Sequence, residues 1–462
     1  MGTSGAFIVA SRYFHLRASS LVAFAISFIA GVAFCAIGLS PQSLLAFLLG
    51  AGAIAVFLFY PELALALYVV IGDLKGDERI ASLFPVDLTL VLGAIILAGI
   101  ALNLLRSKRI VRMPGSFLLY IALVALMVTS LVYTPVFDAG LEKLGRFLTV
   151  TALVIVAPFF VLTTPEAIKR FFAAFSIVAF LICGYSLTDL GSSTRLVTPS
   201  SNTIGLGHIA CSLILLIWLV AMPQPSFLKR MMVYPLLAVP AVALIGSGSR
   251  GAVIAVLLAI VLSLFLYRRL LVDLACLFAL GFVAIPFLRI SEASFEYLGT
   301  LFNSHNVGAL LSFRAELLSY GWSLLQQHPL LGVGIQGFRY YSPNAGLYNW
   351  PHNVFLEIGC ELGIPALLLV CALFGSAIRE SLRQLRDKTS PYLTLAYLSA
   401  ALLLTGIVNS LNTGDINSDR STWLFVSLVF LVGSVRSQVA GPAVEAARHA
   451  GLPSLSMKAA SS

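Results

Sequence analysis

The sequence predicts an all-α polytopic membrane protein, and three observations carry that prediction. Of its 462 residues, 59% are apolar and only 11% are charged, against about 25% charged in a soluble domain. Apolar runs recur along most of the chain, close to the length of about 20 residues that a helix needs to cross a hydrocarbon core of roughly 30 Å. Alternating ten-residue strands of the barrel type are absent, and a bilayer tolerates no open sheet edge, so helices are the way across.

Taken in order, spans are expected near 20–38, 43–59, 61–72, 86–105, 116–133, 147–162, 168–187, 204–222, 232–246, 251–267, 270–288, 352–376, 393–411 and 420–435. This gives about 12–14 transmembrane helices. The first run follows Arg12 and Arg17. It is long for a signal-peptide core and lacks a clear small-residue cleavage site, so it reads as a retained anchor. The run at 61–72 is short, and the direction of every later span depends on it. The division that results is a cytoplasmic N-terminus (1–19), a helix bundle (20–288), a long loop (289–351), C-terminal helices (352–435) and a disordered Ala/Ser/Gly-rich tail (436–462). Most loops are short. In the long one, Leu310, Leu311, Phe313, Leu317, Leu318, Trp322 and Leu325 recur at helical spacing. That pattern predicts an amphipathic helix, lying on the membrane or packed across the bundle. A long loop with internal pattern is usually functional.

The net charge of +9 is an orientation signal and not a nucleic-acid footprint. With the N-terminus inside, the cytoplasmic loops collect Arg106, Lys108, Arg109 and Arg112, then Arg379, Arg383, Arg386 and Lys388. This is the positive-inside bias, and it puts the loop 289–351 on the outer side. Cys35, Cys183, Cys211, Cys276, Cys360 and Cys371 all fall within expected spans. No disulfide framework follows, and no Cys/His spacing suggests zinc.

Two residues stand out at the outer boundary. His352 follows Pro351, where a polar, aromatic segment gives way to an apolar helix. Near a helix N-terminus the macrodipole disfavours imidazolium, and a neutral imidazole can accept a proton as a general base does. A lone interfacial histidine can equally be a plain hydrogen-bonding residue. Arg250, in GSGSRGA (246–252), sits at the tip of a tight hairpin of two short spans. A guanidinium beside the exposed N–H groups of a helix start can cradle a phosphate, though an arginine at a helix end can also simply snorkel. Arg195 and Arg314 are further outer-face cations; each alone reads as a solvated side chain, while together with Arg250 and His352 they could form a rim suited to a pyrophosphate. Glu357 and Glu361 lie round the helix from His352 and read as structural hydrogen-bonders, as do His208 and His305. Gly332-Val-Gly334-Ile-Gln-Gly337 matches a dinucleotide fingerprint in letters only, because no βαβ unit surrounds it. A tight turn is the better reading.

Three segments in order then carry a resemblance. They are GSGSRGA (246–252), the stretch from Arg314 through Trp322 to HPLLGVGIQGF (328–338), and HNVFLEIGCELGIPALLL (352–369). The chain resembles the O-antigen ligase and O-antigen polymerase family of bacterial envelope glycosyltransferases over about 200–435; the first 190 residues match in hydropathy alone. Pro365 departs from the small residue that often follows the Gly-Ile pair. The resemblance implies a GT-C-like helical bundle in the inner membrane. It also implies a reaction in which a glycan on undecaprenyl pyrophosphate passes, at the periplasmic face, to an acceptor hydroxyl. The acceptor would be lipid A-core for a ligase, or another lipid-linked repeat for a polymerase of O-antigen or exopolysaccharide. Neither a nucleotide sugar nor a metal is implied. Carried over, His352 would activate the acceptor, Arg250 would bind the pyrophosphate, and Arg314 and Arg195 would assist.

Two other classes are weighed against this. A transporter or flippase would be expected to carry midplane ionisable residues and paired broken helices, which the sequence does not display. A SEDS-type cell-wall polymerase would need an outer-loop carboxylate; Glu292, Glu296 and Glu316 are present, but none lies in a distinctive motif.

Overall fold

The computed structural model describes residues 41–75, 87–107, 111–192, 194–221, 233–264, 290–299, 308–342, 349–388, 390–412 and 415–449, with isolated positions 275 and 279. The expected first anchor (20–38), most of the expected span 270–288 and His305 lie outside them. The described residues are helical and contain no strand. The helices are α1 (Pro41–Phe59), α2 (Pro61–Val70), α3 (Leu88–Ser107), α4 (Phe117–Ser130), α5 (Phe137–Val161, passing through a π-turn at Phe147–Thr151), α6 (Pro165–Ser186), α7 (Thr203–Ala221), α8 (Tyr234–Ser247), α9 (Arg250–Leu264), α10 (Glu292–Gly299), α11 (Gly308–Gln327), α12 (Gly337–Tyr341), α13 (Val354–Arg386), α14 (Leu393–Ser410) and α15 (Arg420–His449).

Among the described residues five helices, α3, α5, α6, α13 and α14, are long and apolar enough to cross a membrane. The pair α1–α2 forms a sixth candidate, bent by 110° at Tyr60, and α4, α7, α8 and α9 are shorter apolar helices. The chain is thus an all-α, multi-pass membrane protein. Its surface agrees with a lipid solvent: Leu90 and Leu97 on α3, Leu118 and Ile121 on α4, Ile177 and Leu181 on α6, and Leu368 on α13 are exposed. Such large apolar stripes are what lipid tails cover.

The short run at 61–72 is a central helix. Ala64, Leu65 and Ala66 of α2 are fully buried between α3 and α6, and buried Glu62 accepts from Arg170 Nε on α6 at 2.5 Å. The bend at Tyr60 is not the full reversal expected of two antiparallel spans; Pro61 starts α2 without an N–H, at a position where none is needed. At the far terminus, α15 runs on to His449, beyond the end near 435 read from the sequence. The helix runs on through Gly441 and Pro442, poor helix formers, into 443–449, where three alanines, Glu445 and Arg448 favour it.

The longest helix, α13, is broken where the 328–337 turn docks on it. Gly363 lies at φ 83°, ψ 175°, and Pro365 follows. The break releases carbonyls, and the turn supplies donors: Val333 N–H donates to Cys360 O at 2.9 Å and Gly334 N–H to Glu361 O at 2.8 Å. In return Ile364 N–H donates to Pro329 O at 2.8 Å. Pro365 has no N–H to offer Glu361 O, so Gly334 takes its place. This explains the glycine spacing read as a tight turn. Gly334 is at φ +85°, and a Cβ there would stand 2.6 Å from Thr134 Cα. Gly334→Ala is expected to cost about 1–3 kcal/mol through its backbone conformation alone, with the clash in addition. The check is a thermal melt of the purified protein, and an unchanged Tm would refute this account of the turn.

Candidate active site

At one end of the bundle, α8 and α9 meet in the hairpin that carries Arg250. Gly248 closes α8 in a left-handed conformation, its N–H donating to Ile245 O at 3.0 Å. Ser249 then starts the next helix: its N–H donates to Ser247 Oγ at 3.2 Å and its carbonyl accepts from Val253 N–H at 3.1 Å. Arg250 is therefore the first residue of α9, and the opening N–H groups of that helix have no partner within it. Leu196 and Ser294 both donate to Gly246 O, through N–H at 2.8 Å and Oγ at 2.6 Å. These bonds pin the hairpin to the loop after α6 and to α10.

His352 lies one residue outside the cap of α13. The Asn353 side chain accepts from Leu356 N–H at 2.9 Å and donates to Leu411 O at 3.1 Å. This fixes the helix start against the end of α14. His352 itself has φ +56°, an uncommon conformation for a residue with a side chain and one maintained only where surroundings impose it. The helix thus begins at Val354, two residues later than read from the sequence. Burial and the Arg314 cation hold the imidazole below its ordinary value, while Asp415 pulls the other way.

The four residues singled out in the sequence line one cavity. It has a volume of about 400 Å³, and its walls include Arg195, Ser249, Arg250, Arg314, His352 and Asn412. All four are partly buried. Arg195 donates through Nε to Ser247 O at 2.7 Å, with a second bond from Nη2. Arg314 donates through Nη1 to Asn412 O at 3.4 Å. It stands in the second turn of α11, whose Leu317, Leu324 and Leu325 are buried against Val333, Phe338 and Cys360. Leu318 and Trp322 of the same helix are exposed. Among the described residues no carboxylate lines this cavity. The titratable groups on its walls are three guanidinium groups and an imidazole, a set suited to an anion, and Ile254 and Leu318 beside them are exposed.

Glu357 and Glu361 do not reach His352's cavity. Lys143 Nζ sits between them, 2.5 Å from Glu357 Oε1 and 2.6 Å from Glu361 Oε2, and all three side chains are buried. Glu357 Oε2 also accepts from Ile416 N–H at 3.1 Å, and Asn417 donates to Lys143 O at 3.0 Å. The network ties α5 and α13 to the loop between α14 and α15. Lys143 was missed in the sequence; the signal available was an ionisable residue just ahead of an apolar run, a rare and expensive placement in a membrane.

His208, read as structural, lies on a second cavity that His352 also lines. That cavity has a volume of about 270 Å³ and is bordered by Asp73, Asn202, His208, Trp350, His352 and Arg420 among others. Asp73 and Arg420 end and begin helices far apart in the chain, and no motif links them.

Comparison with known families agrees with the resemblance carried by the three motifs. Residues 235–371 match the family model described as O-antigen ligase. The matched stretch contains Arg250, Arg314 and His352 and stops before α14 and α15. A comparison with curated proteins finds no match.

Proposed function

We propose that this protein is a glycosyltransferase that moves a glycan from undecaprenyl pyrophosphate to an acceptor hydroxyl at the periplasmic face of the inner membrane. The observation that carries the reading is the meeting of Arg195, Arg250, Arg314 and His352 on one cavity. The O-antigen ligase match over 235–371 supports the same class. In this reading the pyrophosphate lies against Arg250, Arg314 and the opening N–H groups of α9. Negative charge grows on the pyrophosphate oxygen as the glycosidic bond to it breaks, and preorganised cations act where charge develops. The polyprenyl tail leaves past Ile254, along the exposed Leu257, Leu258 and Val261 of α9. His352, whose imidazolium form is disfavoured by burial and by Arg314, takes the proton of the acceptor hydroxyl.

Arg250→Ala tests this directly. Loss of a charge-stabilising donor costs about 10²–10³ in kcat, so transfer from a carrier-linked glycan should fall by that order while membrane levels of the protein stay normal. A wild-type glycan profile in the variant would remove Arg250 from the site. The glycan that accumulates in a deletion strain separates the two acceptors: long polymer stranded on the carrier means a ligase, and single repeats mean a polymerase. Translocation of a labelled carrier-linked sugar across vesicles without product would instead favour a flippase.

A further inference from the structure

Resting on the role of His352 as base, we propose that the second cavity is the acceptor saccharide site, with Asp73 and Asn202 as its binding residues. His352 and Ile204 line both cavities, so one imidazole serves two spaces of different chemistry. The first presents three guanidinium groups and, among the described residues, no acid. The second sets Asp73 and Asp419 against Arg420, and so does not compete for a pyrophosphate. It combines an apolar floor of Val70, Phe175 and Ile209 with carboxylate, amide and hydroxyl groups toward its mouth at Asn202 and Ser418. Apolar patches with a few convergent polar groups suit a sugar ring, which has C–H faces and a hydroxyl rim.

Two observations show that the space is built. First, His208 Nε2, Trp350 Nε1 and Arg420 Nη1 are buried and have no hydrogen-bond partner among the described residues, and all three residues line this cavity. Buried polar atoms without partners are uncommon, and a hydroxyl-rich ligand would satisfy them. Second, Asn202 Nδ2 donates to Asp73 Oδ1 at 3.1 Å, and this pair lies directly over Gly205. A Cβ at Gly205 would stand 2.1 Å from Asp73 Oδ1 and 2.5 Å from Asn202 Nδ2, so only glycine lets the pair close against α7. Trp350, on the wall of the second cavity, stands beside His352, ring centroids 6.0 Å apart.

The step then balances across the shared wall. The acceptor hydroxyl, held in the second cavity, gives its proton to the His352 imidazole, and its oxygen bonds to the anomeric carbon. The bond from that carbon to the pyrophosphate oxygen breaks, and its electron pair leaves with the pyrophosphate in the arginine-lined cavity. Asp73 and Asn202 hold neighbouring hydroxyls of the acceptor and so fix which oxygen faces His352.

The test uses the full-length protein in nanodiscs with an undecaprenyl-pyrophosphate-linked glycan as donor. One arm offers rough lipopolysaccharide as acceptor; the other offers carrier-linked repeat units alone. Asp73→Asn and Asn202→Ala remove sugar-binding groups, and Ile209→Trp fills the floor without touching a charge. Each is expected to raise the acceptor KM by about tenfold or more, the size of a lost hydrogen bond to a charged or well-held group, with the donor KM nearly unchanged. Any variant that elutes as wild type on size exclusion suffices for the reading. An unchanged acceptor KM in those variants, or a rise in donor KM instead, overturns the assignment. No product from the wild-type protein in either arm would instead sink the glycosyl-transfer reading itself.

Discussion

His352→Gln is expected to lower transfer by about 10²–10⁴, the contribution of a positioned general base, with protein abundance unchanged and the carrier-linked donor accumulating. Glutamine keeps the size and hydrogen-bonding ability of the side chain, so a purely structural histidine would be largely replaced by it. The pH profile gives a second reading of the same group. Burial first, and the Arg314 cation next, disfavour imidazolium, with Asp415 opposing them. The active form is the neutral ring, so the rate should hold through neutral pH and fall only as pH drops through a value below the ordinary imidazole pKa of about 6.5. Arg314→Gln removes a cation, which raises that pKa, and should move the acid limb toward higher pH. Activity retained in His352→Gln, or an acid limb that ignores Arg314, would remove the histidine from the chemistry.

Lys143→Met is expected to produce the largest loss of stability in the molecule. Its ammonium is shared by Glu357 and Glu361 at 2.5 and 2.6 Å, with all three groups buried. Removing it leaves two carboxylates facing each other away from water, and breaking a buried ion pair costs roughly 3–5 kcal/mol. The damage should spread to the loop between α14 and α15, because Ile416 and Asn417 hydrogen-bond to Glu357 and to the Lys143 carbonyl. Neutralising all three, as Lys143→Met with Glu357→Gln and Glu361→Gln, should recover most of the loss, since hydrophobic or neutral replacement of a buried ion pair is often tolerated. Thermal melts of both variants in one detergent decide the point. A Tm for Lys143→Met equal to wild type would show that the carboxylates do not depend on the lysine.

The sequence carried the membrane class and its all-helical nature without help from packing, because a bilayer admits few architectures and charges a high cost for every unpaired backbone group. It also offered Arg195, Arg250, Arg314 and His352 as outer-face candidates, each with an ordinary reading beside it, and the ordered motifs around Arg250, Arg314 and His352 tipped the balance. Other features could not be read in one dimension. The run at 61–72 looked short and weak, yet α2 is a buried helix packed between α3 and α6. The Pro365 departure looked minor, and its consequence appears only where Gly334 supplies the N–H that the proline lacks.

What the sequence determined by itself was therefore the kind of molecule and a set of candidate residues, both of which follow from local composition and its cost in a membrane. What only the tertiary structure decided was which of those residues meet. Arg195 and Arg314 are far apart along the chain and line one cavity. Glu357, close to His352 in sequence, turns away to Lys143. Asp73 and Arg420, with no motif to mark them, share a second cavity with His352. Helix spacing assigns a side chain to a face of its own helix, but the neighbour that face meets is set by packing between helices far apart in the chain.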